Sequence, residues 1–218
     1  MTARAAPAPP AAAVFDCDGL LLDTEPLWTI GEQRLFRRYG RAFTPDAKRA
    51  LLGTSGEAAG RVLAGLLGQP GRGLALVGEL LDECQEAMAD ATPMPGAREL
   101  LARIDGRLPI AAASNSPRRL LEPALRGANL GVEFSAVLSV DDVAHPKPSP
   151  DLYLDTCERL RVAPARAIAL EDSPTGVAAA RAAGLWVIGI PSYPGVLLDA
   201  DLVAPSLAAP EVAAALGI

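Results

Sequence analysis

The chain has few of the residues that mark several common classes of protein. Only 4% of its 218 residues are aromatic, which argues against the stacking surfaces that bind single-stranded nucleic acid. A net charge of -6 and a pI near 4.9 disfavour nucleic-acid and anionic-membrane partners, since both require a basic face. No apolar run approaches the length needed to cross a bilayer. We therefore expect no nucleic acid and no membrane among its partners.

Cysteine and histidine are also scarce. The three cysteines, Cys17, Cys84 and Cys157, show no CxxC or zinc-ligand spacing, and their odd number argues for free thiols in an intracellular protein. The single histidine, His145, we interpret as an incidental loop residue. The first ten residues lack the apolar region of a signal peptide. We expect a monomeric cytoplasmic protein whose residues 1–12 form a flexible tail.

The order of the predicted elements indicates an α/β fold. After an apolar run at residues 11–15, the pattern predicts helices and no convincing strand between residues 20 and 90; the helices cover residues 25–39, 45–52, 57–67 and 73–89. From residue 97 onward, strands and helices alternate. The predicted strands cover residues 108–114, 135–140, 166–171 and 185–190, and residues 201–204 form a candidate edge strand.

Alternating strands and helices predict βαβ units, and therefore a Rossmann-like parallel sheet that is covered on both faces. The pattern indicates that the helical stretch after the first strand is an insertion into that core. We predict an α/β core at residues 13–20 and 93–218, with an all-helical cap inserted at residues 21–92.

Two acidic residues follow the first predicted strand directly. In an extended chain, residues i and i+2 point to the same side, so Asp16 and Asp18 can converge on one ligand while Cys17 turns into the core. Two carboxylates so close repel each other unless a cation or a shared proton lies between them. Taken alone, an Asp-Gly turn at Asp18-Gly19 that merely closes a strand explains the motif equally well.

Polar residues also follow the later strands. Ser114-Asn115 and Glu171-Asp172-Ser173 end two of them, and Lys147 precedes a predicted helix. The serines have a structural explanation as helix N-caps before proline. Lys147 is harder to dismiss as a solvated loop residue, since 18 of the 20 basic residues are arginine. Together these groups offer carboxylates to a hard divalent cation, and a hydroxyl, an amide and an ammonium to phosphate oxygens.

Four segments in this order resemble the motifs of the haloacid-dehalogenase-like hydrolases, in particular the branch of β-phosphoglucomutase and small sugar-phosphate phosphatases with a helical cap. The segments are residues 14–26, 114–116, 147–151 and 170–176. The resemblance covers residues 13–190. It implies a Mg²⁺-dependent enzyme that acts on a small phosphorylated metabolite.

The resemblance also implies roles for individual residues. Asp16 would attack phosphorus to form an aspartyl phosphate, and Asp18 would act as the general acid and then the general base. The Asp16 carboxylate, the Asp18 backbone carbonyl and Asp172 would hold Mg²⁺, with Glu171 near it or bound through water. The phosphoryl oxygens would contact Ser114, Asn115 and Lys147.

The cap separates two candidate activities. Where β-phosphoglucomutases have a histidine, this chain has Trp28, and where their cap loop offers Lys and Arg it has Leu52 and Gly56. Without these cations a bisphosphate intermediate is poorly held, which favours a phosphatase over a mutase. We predict that the substrate-binding residues are Asn115, Gly19, Trp28, Thr54 and Ser55, although Trp28 has an equal claim as a packing residue of the cap.

Two further features of the sequence concern the type of substrate and the loop that carries Lys147. Asp18 favours a phosphate ester as substrate, because the dehalogenase and phosphonate-cleaving branches have no acid there. His145-Pro146 before Lys147 departs from the small residue usual in the family.

A phosphate-accepting signalling domain clusters similar residues on a parallel sheet, but it has no helical lid that could exclude water. The sequence therefore predicts a phosphatase that hydrolyses a small phosphomonoester, a sugar or polyol phosphate.

Overall fold

The computed structural model describes residues 4–54, 56–193 and 195–218. Within these residues the strands are, in chain order, β1 (Ala12–Phe15), β2 (Leu22–Asp23), β3 (Thr92–Pro93), β4 (Ile110–Ala113), β5 (Ala136–Leu138), β6 (Ala167–Glu171), β7 (Trp186–Gly189) and β8 (Leu202–Val203). Six of them form one parallel sheet, which confirms the α/β class, and β8 confirms the predicted edge strand.

The helices of the described residues follow the predicted order. They are α1 (Glu25–Arg38), α2 (Pro45–Leu51), α3 (Gly56–Leu67), α4 (Gly73–Cys84), α5 (Ala97–Ile104), α6 (Arg118–Ala128), α7 (Asp151–Leu160), α8 (Pro174–Ala182) and α9 (Pro210–Leu216). A short 3₁₀ turn at Ala87–Asp90 replaces the predicted end of the α4 helix. None of these helices is both long and apolar enough to cross a membrane.

The strand order is β5-β4-β1-β6-β7-β8. From β1 the chain proceeds outward through β4 to β5, and then crosses to the other side of β1 to form β6. The direction of winding therefore reverses beside β1. In such sheets, ligands bind in the crevice outside the carboxyl ends of the strands at this point.

The centre of the sheet is buried on both faces. Every residue of β1, β4 and β6 is buried. Alternate residues of β1 contribute to two separate apolar clusters, Ala13 and Phe15 to one and Ala12 and Val14 to the other. This is the period of two expected for a strand between two helical layers. The three cysteines are buried and unpaired, as expected.

A pair of short strands lies at the two ends of the helical insertion. Leu22 pairs with Pro93 and Asp23 with Thr92 in an antiparallel ribbon. The prediction of no strand between residues 20 and 90 is therefore wrong at Leu22–Asp23. Helices α1 to α4 lie between these strands in the chain; the division into a core and a cap that begins at residue 21 and ends at residue 92 stays a prediction.

The N-terminal segment contacts the sheet. The indole nitrogen of Trp186 donates to the carbonyl oxygen of Arg4 at 3.0 Å, and the amide of Ala11 donates to the carbonyl oxygen of Arg166 at 2.8 Å. Ala12, the last residue of the predicted tail, is already part of β1. The division between a flexible tail at residues 1–12 and the core stays a prediction.

Candidate active site

The predicted catalytic and metal-binding residues meet at the carboxyl ends of three neighbouring strands. Asp16 directly follows β1, Ser114 directly follows β4, and Glu171 is the last residue of β6. Because β1 lies between the other two strands, these ends are adjacent. Lys147 reaches the same place from the loop before α7. All four side chains are buried.

Lys147 joins the three strands. Its ammonium nitrogen lies 2.6 Å from Asp16 Oδ1, 2.6 Å from Glu171 Oε1 and 2.8 Å from the carbonyl oxygen of Ala113. An ammonium has three hydrogens to donate, so each of them has an acceptor here. The lysine therefore balances two buried carboxylates that would otherwise repel each other.

The buried charges shift one another's protonation. Burial raises the pKa of Asp16 well above its usual value; Lys147 opposes this change, while Glu171 and Asp172 add to it. Burial by itself would lower the pKa of Lys147, but Asp16 and Glu171 outweigh that effect and raise the pKa well above its usual value. Lys147 is therefore a permanent cation, and Asp16 needs positive charge beside it to stay ionised.

The Asn115 side chain contacts the Lys147 backbone rather than open space. Its Nδ2 donates to the Lys147 carbonyl oxygen at 3.1 Å, and its Oδ1 accepts from the Lys147 amide at 2.9 Å. Both polar ends of the amide are thus engaged. In this geometry Asn115 positions the lysine loop; its predicted contact with a phosphoryl oxygen stays a prediction.

Asp18 is held by hydroxyl groups. Its Oδ1 accepts from Thr24 Oγ1 at 2.8 Å, and its Oδ2 accepts from Ser114 Oγ and from Ser116 Oγ, each at 2.9 Å. The Ser114 hydroxyl also accepts from the Ser116 amide at 2.9 Å. Asp18 therefore sits in a hydrogen-bonded environment next to Asp16 without contacting Lys147. Thr24 and Ser116 were given no role by the sequence, although both belong to the segments that carry the family resemblance.

Three carboxylates could hold a metal ion. Asp16, Glu171 and Asp172 each place one oxygen so that all three oxygens lie within 4.8 Å of one another, and all three residues are buried. Burial and the nearby Glu171 raise the pKa of Asp172 to about 7. A set of buried carboxylate oxygens with excess negative charge fits a hard divalent cation such as Mg²⁺. The Asp18 side chain is not part of this set, and its predicted backbone contact with the metal stays a prediction.

Two glycines make room for the carboxylates. A Cβ on Gly19, whose φ is +80°, would lie 2.4 Å from Asp172 Oδ2, and a Cβ on Gly176 would lie within 2.0 Å of both Glu171 carboxylate oxygens. Real Cβ contacts are never this short, so a side chain at either position would displace a candidate ligand. The glycines therefore belong to the construction of the site.

Comparison with known proteins identifies the family. The family model described as haloacid dehalogenase-like hydrolase matches residues 10–184. The chain belongs to the haloacid dehalogenase-like hydrolases. This match confirms the resemblance seen in the sequence, and it spans the strand ends that carry Asp16, Ser114 and Glu171 and the loop that carries Lys147.

Curated relatives of this hydrolase include phosphatases. It is 32% identical over 176 residues to the phosphorylated carbohydrates phosphatase of Thermotoga maritima, covering 80% of this chain and 82% of the relative. It is 33% identical over 187 residues to hexitol phosphatase B of Escherichia coli K12, covering 83% of each. The crystal structure of CbbY from Rhodobacter sphaeroides in complex with phosphate superposes with a TM-score of 0.80 at 28% identity, covering 96% of this chain and all of that one.

A cavity of about 300 Å³ adjoins the candidate metal ligands of the hydrolase. Its lining comprises Gly19, Asp23, Glu25, Pro26, Thr29, Met94, Ser192 and Tyr193. Ser192 lies near Asp172, since a Cβ on Gly19 would lie 3.6 Å from the Ser192 Cβ and 2.4 Å from Asp172 Oδ2. The cavity therefore extends from Gly19 and Ser192, which lie beside the candidate metal ligand Asp172, to Glu25 at the start of α1. Ser192 had no signal in the sequence, because the segment after β7 carries no family motif.

The cap residues that were predicted to contact the leaving group are Trp28, Thr54 and Ser55. Trp28 is half-buried and packs against the larger apolar cluster, and the Thr54 hydroxyl donates to the Leu51 carbonyl oxygen at 2.6 Å. Neither side chain is among those that line the 300 Å³ cavity. Their contact with the leaving group stays a prediction. Ser55, predicted with them, lies outside the described residues.

Tyr153 is a site residue that the sequence did not reveal. It lies on α7, its side chain is fully buried, and its hydroxyl donates to Glu171 Oε1 at 2.6 Å. The Lys147 ammonium lies 5.0 Å from the centre of its ring. Burial raises the pKa of Tyr153 well above its usual value, so the phenol is a hydrogen-bond donor at neutral pH.

Proposed function

We propose that this hydrolase is a Mg²⁺-dependent phosphatase of small phosphomonoesters that works through an aspartyl phosphate on Asp16. The observation that carries the proposal is the contact between Lys147 and Asp16, 2.6 Å long and buried, beside a group of three buried carboxylates. Lys147, together with a Mg²⁺ ion that these carboxylates would hold, would keep Asp16 ionised and lower the repulsion that a phosphate dianion meets.

In the first proposed step, an Asp16 carboxylate oxygen forms a bond to phosphorus as the bond between phosphorus and the ester oxygen breaks. Asp18 in its protonated form gives its proton to that departing oxygen. The free alcohol leaves, the phosphoryl group stays on Asp16, and Asp18 is left as a carboxylate.

In the second step, Asp18 takes a proton from a water molecule as the water oxygen attacks phosphorus. The bond between phosphorus and the Asp16 oxygen breaks, which releases inorganic phosphate and restores both carboxyl groups. Thr24, Ser114 and Ser116, which donate to Asp18, hold its carboxylate in place for this proton transfer.

The Asp16 and Asp172 carboxylates and the Asp18 backbone carbonyl would hold Mg²⁺, with Glu171 close to it. When bound, the ion supplies positive charge that neutralises the phosphoryl oxygens and orients them for in-line attack. The raised pKa of Asp16 and that of Asp172, about 7, both reflect a site with more negative charge than it can solvate. A divalent cation relieves that excess.

Lys147, Ser114 and Asn115 would bind the phosphoryl oxygens. In the described geometry the three Lys147 hydrogens and the Ser114 hydroxyl hydrogen already have protein acceptors. A phosphoryl oxygen that enters the site therefore replaces one of those acceptors. We propose that the residue replaced at Ser114 is Asp18, since Asp18 must be free to reach the ester oxygen.

The proposed substrates are phosphorylated sugars or polyols. The names of two relatives, a phosphorylated carbohydrates phosphatase and a hexitol phosphatase, support this class. The adjoining cavity offers carboxylates at Asp23 and Glu25 and hydroxyls at Thr29 and Ser192, which suit hydrogen bonds to a polyhydroxylated leaving group. We also propose that the protein acts as a cytoplasmic monomer.

Phosphate release from a panel of sugar, polyol and nucleotide phosphates tests the proposal. We expect turnover of sugar or polyol phosphates with Mg²⁺, none after chelation with EDTA, and recovery when Mg²⁺ is restored. Asp46→Asn, an exposed acid on α2, serves as the matched control for Asp16→Asn, which should be inactive. Undiminished turnover after exhaustive chelation, or by Asp16→Asn, would contradict the proposal.

A further inference from the structure

We infer that Tyr153 is a positioning residue of the metal site: its hydroxyl fixes the Glu171 carboxylate so that one carboxylate oxygen accepts from Lys147 and the other is free for the metal or for a water bound to it. The inference rests on the proposed function, because it assumes that the acidic group binds Mg²⁺. It gives a role to a fully buried phenol that the two proposed chemical steps do not use.

The two oxygens of Glu171 have different surroundings. Oε1 accepts two hydrogen bonds of 2.6 Å, one from the Tyr153 hydroxyl and one from the Lys147 ammonium. Oε2 accepts only a longer bond, 3.3 Å, from the Ser173 hydroxyl. Tyr153 and Lys147 thus hold the same oxygen from two elements, while the second oxygen keeps acceptor capacity.

This asymmetry restricts the carboxylate. A turn of the Glu171 carboxylate plane out of this orientation, short of the half-turn that merely exchanges its two equivalent oxygens, would break both short bonds at once and leave a buried phenol and a buried ammonium hydrogen without acceptors. Such a rotation is therefore strongly disfavoured. A carboxylate that cannot rotate presents its other oxygen in one direction, and Glu171 already contributes an oxygen to the group whose members lie within 4.8 Å of one another.

Packing alone does not account for the hydroxyl. The Tyr153 ring belongs to an apolar cluster with Val14, Ala169 and Val187, and the Lys147 ammonium lies 5.0 Å from the ring centre. Phenylalanine would preserve the ring, its packing and the contact with the ammonium. What only tyrosine supplies is the donor to Glu171 Oε1, so Tyr153→Phe isolates the proposed role.

The test is a calorimetric titration of MgCl₂ into metal-free wild type and metal-free Tyr153→Phe. Loss of an outer partner of a metal ligand typically weakens metal affinity 10- to 100-fold, and we expect at least about a tenfold weaker Mg²⁺ Kd in the variant. At saturating Mg²⁺ we expect kcat to recover most of its wild-type value, since no group that touches the substrate is removed. A purely structural role would lower the Tm and leave the Kd unchanged.

Tyr39→Phe is the matched control, because the Tyr39 hydroxyl also bonds to a carboxylate, that of Glu79 on α4 at 3.0 Å. This variant should bind Mg²⁺ like wild type. A Mg²⁺ Kd for Tyr153→Phe within about twofold of the Tyr39→Phe value, below the range expected for a lost ligand partner, would overturn the inference.

If Tyr153→Phe does not fold, fluorine NMR of wild type labelled with 3-fluorotyrosine replaces the titration. The chain has 3 tyrosines, so Tyr39→Phe and Tyr193→Phe assign the Tyr153 signal by elimination. We expect Mg²⁺ to shift that signal and not the Tyr39 signal; an unmoved Tyr153 signal would overturn the inference. Failure of the proposed function is distinct, because it appears as wild type that binds Mg²⁺ but releases no phosphate.

Discussion

The Asn115 side chain forms two hydrogen bonds with the backbone of Lys147: its Nδ2 donates to the carbonyl oxygen at 3.1 Å, and its Oδ1 accepts from the amide at 2.9 Å. The two residues are 32 positions apart in the chain and follow different strands. Because both amide ends are used, the lysine loop is fixed relative to the end of β4. The position of the buried ammonium beside Asp16 therefore depends on a residue that does not touch it.

We expect Asn115→Ala to lower kcat/KM by at least about tenfold, because the loop that aims Lys147 loses two hydrogen bonds; their net loss also lowers the free energy of unfolding by about 1–3 kcal/mol. Phosphate-release kinetics and urea unfolding measure the two effects. Ser149→Ala, which removes a bond to Asp151 in the same loop, should keep near-normal kinetics. A wild-type kcat/KM in Asn115→Ala would show that the two hydrogen bonds between Asn115 and the Lys147 backbone have no part in catalysis.

Asp18→Asn should separate the two chemical steps. The amide cannot transfer a proton, so water attack on the aspartyl phosphate slows, while an activated ester with a good leaving group can still phosphorylate Asp16. With p-nitrophenyl phosphate we expect a burst of nitrophenol followed by slow turnover in stopped-flow absorbance. Steady-state turnover equal to that of wild type would exclude Asp18 as the acid-base residue.

Mg²⁺ should stabilise the protein more as pH rises. The raised pKa of Asp172, about 7, lies above the value of about 3.9 for an unfolded aspartate. Its contribution to the stability of the metal-free protein is therefore full below about pH 4 and is lost as pH rises to about 7. Mg²⁺ requires the ionised form, so the increase in Tm on adding Mg²⁺ should grow between about pH 5.5 and 8.

Asp172→Asn is the variant that checks this pH dependence. It should raise the Tm of the metal-free protein at high pH, where wild type carries the buried charge, and should reduce the Mg²⁺-induced increase. Asp46→Asn, on an exposed side chain, should change neither. A Mg²⁺ effect on Tm that does not vary with pH in wild type would rule out Asp172 as the titrating ligand.

Free phosphate, rather than an isomerised sugar phosphate, should be the main product. Trp28 packs against the larger apolar cluster, and the only lysine of residues 21–92, Lys48, pairs with Glu25 and Glu32, which leaves it poorly placed to hold a second phosphate. The measurement is incubation with β-glucose 1-phosphate and a catalytic amount of the 1,6-bisphosphate. Formation of glucose 6-phosphate well above the rate of phosphate release would establish the mutase instead.

The sequence predicted the acidic residues at the centre of the site better than the residues that position them. Asp16 and Asp18 follow a buried strand, and the carboxyl ends of parallel strands meet at one edge of the sheet, so their meeting with Glu171 could be expected. The bonds that Asn115 and Tyr153 make depend on the paths of loops and on side-chain directions, which have no periodic signal. The same holds for the strand at Leu22–Asp23, since two residues paired with Pro93 show no alternation, and proline normally opposes strands.

The measurement that tests the account most directly is identification of the phosphorylated residue. Wild type and Asp18→Asn would be mixed with Mg²⁺ and p-nitrophenyl phosphate, quenched rapidly in acid, and digested for mass spectrometry. We expect one phosphoryl group on Asp16, more abundant in Asp18→Asn than in wild type and removed by hydroxylamine, as an acyl phosphate should be. A phosphoryl group on another residue, or turnover with no phosphorylated protein in either variant, would contradict the account.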